Sequence, residues 1–290
     1  MIFLITVNYY STHLIETLIA SLPGNQESDW QLIIVNNSPD DPSIHRLKRD
    51  GIFILEAGKN LGFGRGCNLG LQWIYQRNPQ ALIWLINPDA YFLKNSLQQA
   101  SNFLNKHPEL SVLGTIVYEP GGKVWFGGGQ FNPKTGTILE IKNLSPELAT
   151  ADYLEISWVT GCSLLINFKN FTECPQFDEA YFLYYEDFDF CRRYANQGHL
   201  IGLTRLFAVI HHPSSITSKH ANLKIQHSIK SYLLSLQKHT SFWVLGYRLV
   251  RITLTSLISL PFNTKMSLNK LKGLFLYVQS QLFKSNSQRL

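Results

Sequence analysis

The residues of this chain that could do chemistry fall into four groups. Tyr184-Tyr185-Glu186-Asp187-Phe188-Asp189 puts three carboxylates within four residues at what reads as a helix start. A carboxylate held there can accept the proton of a hydroxyl as that hydroxyl attacks an electrophile. Acids in a first helical turn are also favoured by the macrodipole alone, so this cluster taken singly fits a structural role as well. Leu85-Ile86-Asn87-Pro88-Asp89-Ala90 sets one carboxylate just past an apolar run. Such an aspartate can hold Mg²⁺ or Mn²⁺ against the phosphates of a nucleotide, while Asn-Pro-Asp is also ordinary turn chemistry. His211-His212 closes another apolar run, Leu206 to Ile210, and either imidazole can ligate a metal. The fourth group is Asn60-Leu61-Gly62-Phe63-Gly64-Arg65-Gly66-Cys67-Asn68-Leu69-Gly70, a glycine-rich loop that opens a helix and can bring backbone amides to a phosphate or sugar. Cys67 stands where a dinucleotide fingerprint needs its third glycine, and no Walker pattern is present.

These groups need elements that position them. Apolar runs Ile2 to Val7, Gln31 to Val35 and Ala81 to Ile86 alternate with helical spacing over Leu14 to Leu22 and a helix near Gly66 to Gln76, which predicts a parallel α/β sheet. In such sheets ligands bind beyond the carboxyl ends of the strands. Those ends read Asn8-Tyr9, Asn36-Asn37-Ser38 and Asn87-Pro88-Asp89, one candidate pocket. The glycines between Gly114 and Gly136 predict turns and a short hairpin beside the main sheet. Tyr185 to Asn196 reads as a helix with acids first, Arg192 and Arg193 later, and Gly198 as its stop.

Composition divides the chain. Its 290 residues, 45% hydrophobic, suffice for one large core or a core with a small appendage. All twenty Asp and Glu lie before residue 190, whereas residues 190 to 290 carry fourteen Lys and Arg. One part can use carboxylates for chemistry and the other suits an anionic partner. Cys67, Cys162, Cys174 and Cys191 form no zinc-like spacing and fit a reducing cytoplasm. Met1 to Val7 reads as a buried first strand, without the basic region or cleavage site of a signal peptide.

The boundary falls after His212-Pro213, giving units of 1–215 and 216–290. In the second, Ile225, Ile229, Tyr232, Leu233 and Leu236 keep a helical period, and Phe242 to Phe262 is apolar but broken by Arg248 and Arg251. A membrane-spanning helix needs about 20 apolar residues. The uncharged run Ile252 to Thr264 is shorter and contains Pro261. Helices lying on a membrane surface fit this pattern, as does a basic helical region packed on the α/β unit.

The groups gain specificity from their order. Val7-Asn8-Tyr9, Ile34-Val35-Asn36-Asn37-Ser38, the Asn60 to Gly70 loop, Leu85-x-Asn87-Pro88-Asp89-Ala90, Gly161-Cys162-x-Leu164-Leu165, Phe177 to Arg193 and His211-His212 resemble the successive motifs of family 2 glycosyltransferases. The rhamnosyltransferase-like branch that builds surface polysaccharides is the nearest, and the likeness covers about residues 1 to 215. It implies an α/β GT-A fold, a three-layer sandwich with a mostly parallel sheet, followed here by a C-terminal helical extension. It implies transfer with inversion from a nucleoside-diphosphate sugar, dTDP- or UDP-linked, to a hydroxyl of a glycan or lipid-linked acceptor. Asp187 matches the catalytic base, with Glu186 beside it orienting the acceptor. Tyr9 and Asn36 would lie at the nucleobase, and Asn60, Gly62 and Asn68 near the ribose and diphosphate. Asp89 matches the metal-binding acid for Mg²⁺ or Mn²⁺, Asn87 replaces its usual acidic partner, and His211 is the metal-side histidine, with His212 as the alternative. Asn36 stands where the family usually carries Asp, which bears on base preference because an amide both donates and accepts.

A cytoplasmic enzyme held peripherally on the inner face of the plasma membrane follows from the acid-free tail and a lipid-linked acceptor. The alternative is a non-catalytic protein that binds sugar nucleotides or glycans. Retention of both Asp89 and Asp187 argues against it. Nucleic acid is not an expected partner, because no recognised motif accompanies the basic residues.

Overall fold

The computed structural model describes residues 1–24, 30–213 and 221–287. The parallel half of its main sheet follows the apolar runs. Strands β1 (Ile2–Asn8), β2 (Trp30–Asn36) and β3 (Ile52–Glu56) pair in parallel. On the other side of β1 lies β4 (Leu82–Ile86), also parallel. Helix α1 (Thr12–Ala20) links β1 to β2, and α2 (Phe63–Tyr75) links β3 to β4 and packs on β1 and β2. Strands β1 and β2 are buried almost end to end, as a sheet with both faces covered requires.

Beyond β4 the sheet is mixed. The short strand β5 (Ala90–Phe92) and helix α3 (Ser96–Lys106) lead to β6 (Leu110–Tyr118), followed by β7 (Val124–Phe126). A separate hairpin, β8 (Gly129–Asn132) with β9 (Thr137–Glu140), supplies the expected glycine turns. Gly114 departs from that reading, since it is buried inside β6, where a Cβ would lie 2.5 Å from the side chain of Val159. Strand β10 (Leu154–Glu155) is followed by β11 (Ser163–Asn167), inserted antiparallel between β4 and β6. Helix α4 (Glu186–Ala195) and the long β12 (Leu200–His211) complete this part, with β12 parallel to β6 and antiparallel to β5.

Three helices follow: α5 (Ala221–His239), α6 (Phe242–Ser259) and α7 (Thr264–Ser287). Leu233, Leu274 and Tyr277 form a small core of their own, distinct from the large one in the sheet. The helices also grip the first part of the chain. Tyr232 donates to the carbonyl of Gly136 at 2.8 Å, and Arg248 donates to the carbonyl of Thr135 from Nε and Nη2 at 2.9 and 2.7 Å. The basic tail therefore packs on the α/β unit. The sequence boundary at 215 lies outside the described residues.

Candidate active site

Two elements distant in sequence bring Asp89 and His211 together. Antiparallel pairing of β5 with the end of β12 sets Ala90 opposite His211, and the His212 amide donates to the Asp89 carbonyl at 2.9 Å. His211 Nε2 then stands 3.1 Å from Asp89 Oδ1, both side chains about 95% buried. The two atoms lack the alignment of a hydrogen bond, and Asp89 Oδ1 has no hydrogen-bond partner among the described residues. A buried carboxylate oxygen left unpaired is costly unless a ligand completes it. His211 Nδ1 is likewise without an acceptor, and the ring is oriented by edge contact with Trp125 at 4.4 Å. His212 is exposed and its ring lies against Tyr91, so of the two histidines it is His211 that faces Asp89.

Such a pair fits a hard divalent cation in one respect and leaves it incomplete in another. No group of three or more His, Cys, Asp or Glu suited to a metal occurs among the described residues. Mg²⁺ is commonly held by only one or two carboxylates, with substrate phosphates and water filling the other positions. Asp89 and His211 suit that partial role.

The three acids of α4 are sorted by their surroundings. Asp187, half-buried, accepts from the Gly161 amide at Oδ2 (2.9 Å) and from its neighbour Phe188 at Oδ1 (2.8 Å). Burial nevertheless raises its pKa above the ordinary carboxylate range. Glu186 is 5% exposed, its Oε2 has no hydrogen-bond partner among the described residues, and burial followed by the charge of Asp187 pushes its pKa up to about 8. Asp189 goes the other way despite complete burial. Bonds from His239, Arg193 and Lys238 hold its carboxyl at about 2. One short stretch thus carries two carboxyls raised in pKa, of which Glu186 holds its proton at neutral pH, and one permanent anion.

The acid pair and the Asp89 pair meet across one turn. Gly161 N–H donates to Asp187, and the carbonyl of Cys162 accepts from Asn87 N–H at the end of β4, two residues before Asp89. Burial raises the Cys162 thiol pKa first, and the charges of Asp89 and Asp187 add to it. The backbone ahead of α4 is unusual: Tyr184 and Tyr185 have φ of 68° and 63°. Two successive left-handed residues other than glycine cost about 1–3 kcal/mol each and persist only where the surroundings enforce them.

The remaining expected residues cluster at the ends of β1, β2 and β3. Asn8 donates to Asn36 at 3.0 Å, and Asn36 donates to Glu56 at 2.9 Å while its oxygen also accepts from Ser38 N–H. Asn36 is 1% exposed and its oxygen is fully engaged, so Glu56, whose side chain is nearly half exposed, is the acid this edge presents. Sequence reading passed over Glu56 because its strand is short. Tyr9 is half-buried beside Tyr10, whose hydroxyl donates to Asp40. Asn60 caps the turn at Gly62, accepting from its N–H at 2.9 Å. Gly62 has φ of 82°, and a Cβ there would meet the carbonyl oxygen of Phe182. Asn68 spends both amide atoms on the main chain of Phe177, at 2.9 and 2.7 Å, and so ties α2 to the segment leading to the acids.

A parallel α/β half-sheet with polar residues at its carboxyl ends, continued by β11 and β12, has the GT-A architecture. Residues 2–172 match the family model of Glycosyl transferase family 2. The chain belongs to that family. It is 24% identical over 267 residues to the N-acetylglucosaminyl-diphospho-decaprenol L-rhamnosyltransferase of Mycobacterium tuberculosis, covering 82% of this chain and 85% of that protein. Rhamnosyltransferase WbbL of Escherichia coli is 22% identical, over 73% of this chain and 83% of the relative. Among solved structures, the mannosyltransferase PcManGT from Pyrobaculum calidifontis, determined with GDP-Man and Mn²⁺, superposes with a TM-score of 0.56 at 12% identity, covering 96% of this chain and 86% of that one. The chain is therefore a glycosyltransferase of glycan biosynthesis with rhamnosyltransferase-like sequence.

Proposed function

We propose that this enzyme binds a nucleoside-diphosphate sugar along the ends of β1 to β4 and transfers the sugar, with inversion, to a hydroxyl of a lipid-linked glycan. The observation that carries the reading is the convergence, across the Gly161-Cys162 turn, of the unpaired Asp89–His211 pair with the raised Glu186–Asp187 pair. Asp187 takes the proton of the attacking hydroxyl at Oδ1 or Oδ2, each of which keeps a free lone pair beside its backbone donor. Glu186 holds the acceptor. Asp89 and His211 would hold a divalent cation, which when bound neutralises charge on the leaving diphosphate. Tyr9 flanks the nucleobase, and Asn36, buried with its amide engaged, holds Glu56 toward it. Asn60 and Gly62 shape the loop at the ribose, and Asn68 fixes α2 behind it. The rhamnosyltransferase relatives support a deoxyhexose donor such as dTDP-rhamnose, and the decaprenol-linked substrate named for the mycobacterial relative supports a polyprenyl-diphosphate acceptor.

Division into a catalytic unit, 1–215, and a basic helical unit, 216–290, completes the proposal. No helix among the described residues is long and apolar enough to cross a membrane. On α6, however, Trp243, Tyr247, Val250, Leu254 and Ile258 recur at helical spacing and are 52–81% exposed, and Phe262 beyond them is 89% exposed. Nine Lys and Arg and no acid lie between residues 221 and 287. An outward apolar stripe with cations and no anions suits the surface of an anionic bilayer on the cytoplasmic side.

Thermal unfolding with dTDP, UDP or GDP, each with and without Mn²⁺, tests the donor site. A ligand at one hundred times its Kd adds about 2.7 kcal/mol to stability. The expected result is a Mn²⁺-dependent rise with one nucleotide, abolished in Asp89→Ala. No rise with any nucleotide overturns the reading.

A further inference from the structure

The turn that presents the acids and the helix that holds it both lie beyond the family match, which ends at residue 172. Helix α5 supplies most of the restraint. Ser231 Oγ donates to the Leu183 carbonyl at 2.8 Å, the Phe182 ring lies 4.8 Å from that of His227, and the Tyr185 ring lies 5.7 Å from that of Tyr232. These contacts surround the two left-handed residues Tyr184 and Tyr185. Just beyond, Asp189 is fully buried and receives Lys238 Nζ at 2.6 Å and His239 Nε2 at 2.9 Å from the last turn of α5, as well as Arg193 Nε at 2.7 Å from its own helix. A buried charge with partners on two elements is strongly disfavoured from losing one of them. The clasp therefore locks α4 to α5 in one register. The same segment also reaches the donor side, since the Phe182 carbonyl accepts from Phe63 N–H at 3.2 Å and fills the space a Cβ at Gly62 would need.

We propose that α5 is part of the active site's construction, and that Asp189, clasped by Lys238 and His239, is a positioning residue that holds the Tyr184-Tyr185 turn so that Asp187 meets the acceptor hydroxyl. This rests on the reading of Asp187 as the base. Asp189 is fully buried and its charge is spent on Arg193 of its own helix and on Lys238 and His239 of α5, so its effect on transfer runs through backbone geometry. A misplacement of about 1 Å at a reacting group can cost about 100-fold in rate.

The test uses the full chain as wild type, Asp189→Asn, Lys238→Met and Lys238→Arg. The first measurement is amide hydrogen exchange over residues 182–188, which needs no substrate. Exchange there is expected to accelerate about tenfold or more in Lys238→Met and to return toward wild type in Lys238→Arg, because local opening tracks the lost tertiary restraint. The second is turnover of dTDP-rhamnose with an N-acetylglucosaminyl-diphospho-prenol. In Lys238→Met kcat is expected to fall about 100-fold while the donor KM stays within about twofold, the pattern of a defect confined to the transition state. Unchanged exchange and unchanged kcat in both Lys238→Met and Asp189→Asn would overturn the inference. Failure of the wild type to bind nucleotide would count against the donor site instead, and the exchange measurement would still decide the role of α5. Should Asp189→Asn not fold, Lys238→Met, which leaves Arg193 and His239 on the carboxylate, carries the test together with Asp178→Asn, because Lys238 Nζ also bonds Asp178 at 2.7 Å. Faster exchange in Lys238→Met but not in Asp178→Asn assigns the restraint to Asp189, and equal acceleration in both overturns that assignment.

Discussion

At the scale of single residues, environment gives neighbouring carboxylates opposite properties. Glu186 has a folded-state pKa of about 8, against about 4.3 in an unfolded chain. The folded protein therefore holds a proton that the unfolded chain releases between those values, and stability declines as pH rises through that window. Glu186→Gln removes the effect. Its thermal midpoint should gain on wild type from about pH 5 up to pH 8, and match it below pH 4. Asp189 has the reverse sign, because its stabilising interactions are present above the unfolded value of about 3.9 and are lost as pH falls toward about 2. Asp187 as the proposed base must be ionised for transfer, so kcat/KM should fall on the acidic side at a pH above that of an ordinary aspartate. Asp187→Asn should lower kcat by about 10²–10⁴-fold with nucleotide affinity unchanged, measured by steady-state transfer and calorimetry.

At the scale of elements, the glycines of α2 divide their work between conformation and packing. Gly62 is left-handed and pressed against the Phe182 carbonyl, while Gly66 and Gly70 let the helix approach Val7 and Ile5 of β1, where added Cβ atoms would sit 3.0 Å from each side chain. Gly70→Ala should cost about 1–3 kcal/mol in denaturant unfolding without altering the acids. Gly62→Ala should be more severe, since strain and collision coincide, and should impair nucleotide binding as well as folding. The sequence places the start of α2 at Gly66, whereas it begins at Phe63, because Gly62 turns the chain directly into the helix. Strand β3 went unread for a different reason. Of its five residues only Ile52 is buried, Ile54 and Leu55 are half-buried and Phe53 and Glu56 face solvent, so the stretch carries little periodicity, and the strand owes its identity to pairing with β2.

At the scale of the whole molecule, the tail faces two ways. Its inner side grips the hairpin β8–β9 and the acids of α4, and its outer side displays large apolar residues that a monomer in water rarely leaves contiguous. Replacing Trp243 and Phe262 by Glu should abolish co-sedimentation with vesicles containing phosphatidylglycerol while leaving nucleotide binding intact. Raising salt from 0.1 to 1 M should weaken wild-type binding, because the Debye length shortens from about 10 Å to about 3 Å. Binding to neutral vesicles as strong as to anionic ones would remove the electrostatic half of the proposal.

The sequence by itself determined the parallel strand ends, the acidic helix start, the order of the motifs and the division of charge between the two parts of the chain. Those properties live in local periodicity and residue type, which need no partner to be read. Only tertiary structure decided that His211 and not His212 faces Asp89, because β5 must pair with β12 to bring them together. It also decided which acids are raised in pKa and which is anchored as an anion. A carboxylate's pKa is set by burial and by charges within a few ångströms, and for Asp189 two of those charges arrive from Lys238 and His239 on a helix some fifty residues downstream.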